Sequence, residues 1–101
     1  MKLIKELAEL IEDEIHDVEK YSKMALDLRE DHPGLAHTLH NIAAQEDGHQ
    51  AMLHSEVVKL IQEYRQEHGE PPAAMLAVYE YLHKRHIEKL AEARRYMDMY
   101  K

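Results

Sequence analysis

Only two stretches of this chain are able to stop a helix, and they limit what it can fold into. Asp31-His32-Pro33-Gly34 joins a capping side chain to a proline suited to a first helical turn. Gly69-Glu70-Pro71-Pro72 ends a helix with glycine and then forbids its continuation. Around them the spacing predicts three helices, over about 2–30, 33–68 and 73–100. At roughly 1.5 Å per residue these are about 40 to 55 Å long. Helices of that length joined by such short turns must lie antiparallel as a bundle. The expected fold is all-α, a single domain over 1–101: an antiparallel helical hairpin plus a third long helix.

Composition agrees and excludes several functions. The chain has 3 Gly and 3 Pro, and helix formers dominate it, while no run of Val, Ile and Thr suggests a strand. Without cysteine there is no disulfide framework or thiolate metal site. A formal charge of -7 argues against a basic surface for nucleic acid. No apolar stretch is long enough to span a bilayer, and Met1 to Glu9 do not read as a signal peptide. The expectation is a soluble cytoplasmic protein with no nucleic-acid or membrane partner.

Steps of three and four pick out a stripe on each of the first two helices. Helix 1 carries Ile4, Leu7, Ile11, Glu14, Val18, Tyr21, Ala25 and Leu28. Helix 2 carries Leu35, Leu39, Ile42, Glu46, His49 and Leu53, then drifts to Val57, Leu60 and Tyr64. Glu14 is the one charge in the first stripe, and Glu46 and His49 share a face one turn apart in the second. An unpaired carboxylate in a core is strongly disfavoured, so these positions need a reason.

Register supplies one. The first turn centres near residue 31; Glu14 lies 17 residues before it, and Glu46 and His49 lie 15 and 18 after it. In an antiparallel hairpin the three therefore fall at one level on facing stripes, within an expected dry core. Two carboxylates and an imidazole suit iron or manganese, the absence of thiolates arguing against structural zinc. Di-iron bundles use a Glu from each of two helices and Glu-x-x-His from each of the other two. This chain supplies one of each. The expectation is half a site, doubled to four Glu and two His by a two-fold dimer that completes a four-helix bundle.

Glu14 with Tyr21 seven residues on, then Glu46-Asp47-Gly48-His49, resembles the first two helices of rubrerythrins. His49-Gln50-Ala51-Met52-Leu53 with Glu56 behind it is similar to the encapsulated ferritins, and the layout resembles short ferritin-like proteins of bacteria and phages. The resemblance covers roughly 10–65. It implies a ferritin-like fold, two irons per dimer with manganese possible, and oxygen or peroxide as oxidant. Glu14, Glu46 and His49 would be both ligands and catalytic residues. Tyr21, two turns along the stripe from Glu14, either hydrogen-bonds a ligand carboxylate from behind or is a core residue with its hydroxyl satisfied elsewhere. Two features depart from it. There is no rubredoxin-type centre, and Met97-Asp98-Met99-Tyr100-Lys101 does not look like an encapsulin-targeting tail.

Helix 3 repeats the motif spacing in Glu80-Tyr81-Leu82-His83, with His86 one turn on. Reflection about residue 70 or 71 sets His83 opposite residues 57–59, about 13 Å along the helix from Glu46 and His49. His83 and Glu56 are thus weaker candidates, paired as a structural bond or a second cation site. Glu12, Asp13 and Asp17 read as a solvated face. His16, His32, His37, His40, His54 and His68 have no carboxylate in register and read as surface residues. Gly48 stands inside a helix at a cost of roughly 1 kcal/mol, which fits close helix approach, a bulge beside the site, or no special role at all.

Two functions fit. One is Fe(II) oxidation, peroxide reduction or iron handling at a shared di-metal site. The alternative is a helical dimerisation module in which the same polar residues set register, with a structural metal or none.

Overall fold

Pro33 opens one long helix and Gly69 closes it, and those two residues set where the chain turns. The structure, a computed structural model that describes residues 2–101, has three helices: α1 (Lys2–Leu28), α2 (Pro33–His68) and α3 (Ala73–Met99). Pro33 occupies the first turn of α2, where its missing N–H costs nothing. The cap is His32, without a side-chain hydrogen bond, so Asp31 does not act as the cap its position suggested. Instead, His32 N–H donates to Leu28 O at 2.8 Å and Ala36 N–H to His32 O at 2.9 Å, welding the turn together. Gly69 takes φ 79°, and its N–H donates to Arg65 O at 3.0 Å. That left-handed conformation is open to glycine at little cost.

The chain forms a rod of 56 × 18 × 18 Å, close to the length of α2. α1 and α2 form an antiparallel hairpin, and α3 returns parallel to α1, with Glu12 against Arg85 and Lys89 and Arg29 near Met99. Near the Gly69 turn the core is built from Ile4, Ile11, Ile15, Val57 and Ile61. Burying each such side chain stabilises by roughly 1.5–3 kcal/mol. Towards the first turn the buried residues, Leu39 apart, are small: Ser22, Ala25, Ala36, Ala43 and Ala93. Small side chains let helices approach closely there.

The buried face differs from the sequence stripe in an informative way. Ile4, Ile11, Val18, Ala25, Leu39 and Val57 are buried as expected, but so are Ala8, Ile15, Ser22, Ala36, Ala43, Gln50 and Ile61. Leu7, Tyr21, Leu28, Ile42, Leu53, Leu60 and Tyr64 are only partly buried, and Leu35 is exposed. The third helix packs on one flank of the hairpin and draws burial towards itself. The other flank stays uncovered. Among the described residues no helix is long and apolar enough to cross a membrane.

Candidate metal centre

Midway along the hairpin, α1 supplies Glu14 and α2 supplies Glu46 and His49. One donor atom from each lies within 4.8 Å of both others, and no other group of three His, Cys, Asp or Glu among the described residues does this. His49 Nδ1 stands 3.6 Å from Glu14 Oε2 and 3.6 Å from Glu46 Oε1. The level predicted from the turn is therefore the level observed.

The expected dry interior is not what a single chain provides. The side chains of Glu14, Glu46 and His49 are 26%, 19% and 51% exposed. α3 is the reason. It lies against Glu12, about 200° round α1 from Glu14, and leaves the three groups on the open flank. Leu3, Leu10 and Leu35, each about half exposed, share that flank with the partly buried Leu7, Ile42 and Leu53.

The electrostatics are unresolved within the chain. Glu46 is pushed above the ordinary carboxylate range, chiefly by its carboxyl–carboxyl contact with Glu14, then by burial and by Glu14's charge, with His49 opposing. Glu14 Oε2 is shut from solvent and has no hydrogen-bond partner. The His49 nitrogen is too distant to be that partner. Ligands each about 2.1 Å from one ion stand roughly 3.0–3.5 Å apart, so the 3.6 Å spacings lie close to a ligand set. An orphaned carboxylate oxygen, a second carboxylate resisting ionisation and a nearby imidazole fit a hard or borderline divalent cation.

The remaining candidates fall elsewhere. Tyr21 is partly buried, but among the described residues it makes no hydrogen bond to Glu14; Lys20 Nζ lies 5.7 Å over its ring. Glu56 is exposed and accepts from Lys59 Nζ at 3.1 Å, so the expected pairing with His83 does not form. His83 instead stacks on His54, ring centroids 4.6 Å apart, and on Tyr79. Glu56 follows His49 by seven residues and therefore shares the open flank, whereas His40, Asp47 and His54, also seven apart, share the flank facing α3.

The stripes do not reveal that second flank, and His40 and His54, expected at the surface, are partly buried there. His40 stacks on Tyr100 at 4.4 Å, with its Nδ1 buried. Asp47 accepts Arg94 Nε and Nη2, both at 2.8 Å, and Gln50 Nε2 at 3.1 Å. Arg94 accordingly holds the Asp47 carboxyl below its usual range. The heptad His40–Asp47–His54 was a sufficient signal, because reflection about residue 70 maps Asp47 onto Arg94 and His40 onto Tyr100 within a residue. His16, His32, His37 and His68 are exposed, as expected. Gly48 lies in regular helix with open space about it, so neither close approach nor a bulge accounts for it within one chain.

The structure thus defines an all-α protein of three long helices with a two-carboxylate, one-imidazole cluster on an uncovered flank. Compared with protein-family models, curated proteins and solved structures, the chain matches none.

Proposed function

We propose that the chain is half of a ferritin-like di-metal carboxylate protein, its open flank meeting that of a second copy. The observation that carries this reading is the gathering of Glu14, Glu46 and His49 at one level, with Glu14 Oε2 buried and unpartnered. The half-exposed leucines beside it support the second part, because an apolar row flanking unsatisfied carboxylates suits burial against a like surface. Two copies related by a two-fold axis would bring four Glu and two His together, the complement of a two-ion carboxylate site.

Iron is the cation this donor set favours, with manganese next. When bound, a pair of such ions supplies the redox step by which Fe(II) is oxidised or peroxide reduced. In this reading Glu14 and Glu46 bind the cations and neutralise them, and His49 supplies a nitrogen ligand at the site's exposed edge, where a small oxidant enters. The same half-exposure also favours a second reading. His49 lies equally near both carboxylates, so when protonated it offsets their charge without an ion, and the cluster then sets dimer register alone.

Anaerobic titration with Fe(II) or Mn(II), elemental analysis and oxygen uptake on added Fe(II) separate the two. The di-metal reading expects about one ion per chain and turnover, both lost in Glu46→Ala and His49→Ala. Binding that survives either substitution refutes the ligand assignment, and an ion without turnover favours the module.

A further inference from the structure

A different cluster lies between α2 and α3, on the flank away from Glu46 and His49. Tyr79, His83 and His54 form a continuous stack, with Tyr79 and His83 rings at 5.7 Å and 7° and His83 and His54 rings at 4.6 Å and 12°. His86, one turn along α3, is 7% exposed, and its Nε2 has no hydrogen-bond partner. His54, His83 and His86 line a cleft of about 340 Å³ with Ile11, Ile87 and Leu90. Three imidazoles therefore occupy the packing between the first half of α3 and the hairpin.

We propose that His54, His83 and His86 form an acid-sensitive latch that holds the first half of α3 (73–87) on the hairpin when neutral and releases it when protonated. Stacked imidazoles attract as neutral rings and repel as cations. A charged His86 would be buried without an acceptor for its Nε2 proton, which is costly. The charged groups nearby do not compensate. From α1, Glu12 faces His86, but its Oε1 already accepts Arg85 Nη2 at 3.0 Å and Lys89 Nζ at 3.1 Å. From α3, Arg85 opposes protonation, and Tyr79 brings no charge of its own; from α2, the neighbouring Gln50 and Ser55 are neutral.

The direction of the pH effect follows. Burial and then His83 lower the His54 pKa; burial lowers that of His86, against Glu12 and with the help of His83, His54 and Arg85. For a base lowered in the folded state, the stabilisation is complete above the unfolded value near 6.5 and is lost as pH falls through the lower folded value. The ion pairs do not respond in that window, since Lys89 and Arg85 hold Glu12, and Arg94 holds Asp47, below the ordinary carboxylate range. Acid should thus free residues 73–87 while the bidentate Arg94–Asp47 pair keeps the end of α3 in place.

Amide hydrogen-exchange protection factors of the full chain at pH 7.5 and 5.0, read by fragment, test this. Residues 73–87 are expected to lose protection by about tenfold or more at pH 5.0, with 90–99 and α1 changing little. In H54Q/H83Q the pH response should fall to what buried His86 alone supplies; Glu46, which is also raised, is untouched in that variant. Equal protection at both pH values, or an undiminished response in the double variant, overturns the proposal. If the variant does not fold, side-chain NMR titration of the wild type decides: His54 and His86 must protonate below the ordinary value of 6.5, and together with the loss of protection.

Discussion

Glu46 resists ionisation because a second carboxylate touches it, burial strips its solvent, and only His49 opposes them. A carboxyl raised in the folded state stabilises fully below its ordinary value of 4.5, and that stability is lost as pH rises through the folded value. At neutral pH the ionised pair is therefore a net cost to the metal-free chain. Glu46→Gln keeps the shape and removes the charge, so its metal-free form should melt higher, by about 1 kcal/mol or less. Calorimetry with and without Mn(II) checks the trade: the ion should stabilise the wild type and leave the variant unmoved. A variant both less stable and still stabilised by the ion would count against the centre.

At the scale of elements, α2 carries two polar rows seven residues apart in step, and each meets a different surface. His40, Asp47 and His54 face α3, while Glu56 and His49 face the open flank. The bidentate Arg94–Asp47 pair ties α2 to the second half of α3. Arg94→Ala should destabilise by about 1 kcal/mol, discounted because the guanidinium is half exposed. The loss should shrink in high salt. Since Asp47 is lowered, the pair's contribution is present above its unfolded value and fades only as pH falls through the folded one, so the difference between wild type and variant should persist from pH 7 to 5. Gly48 meets open space on the same helix, and Gly48→Ala should stabilise by about 0.5–1 kcal/mol in thermal melts.

For the whole molecule the issue is what covers the open flank. Leu3, Leu10 and Leu35 are half exposed along the flank that holds the carboxylate cluster. Leu10→Glu should leave the monomer helical, because the side chain already meets solvent, yet block association through that flank. Sedimentation or light scattering should show a wild-type dimer and a monomeric variant, with metal affinity falling alongside. Association unchanged in Leu10→Glu would place any interface elsewhere.

Helix number, helix ends within a residue or two and the level of Glu14 against Glu46 and His49 were legible in the sequence. Each depends on local rules: what ends a helix, how far it rises per residue, and how a short turn mirrors one helix on the next. The rotation of α2, the burial of Gln50 and His86 and the pairing of Asp47 with Arg94 were not, although their spacing was present. A periodic stripe shows that a helix has an apolar side, but a helix with neighbours on two flanks has two such sides, and periodicity does not say which neighbour takes which. Tertiary packing settled that by laying α3 against Glu12 and His54, and so left the carboxylates on the opposite, open side. The first group of properties comes from backbone geometry, which each segment carries alone; the second comes from competition between surfaces for one neighbour, which exists only once the helices meet.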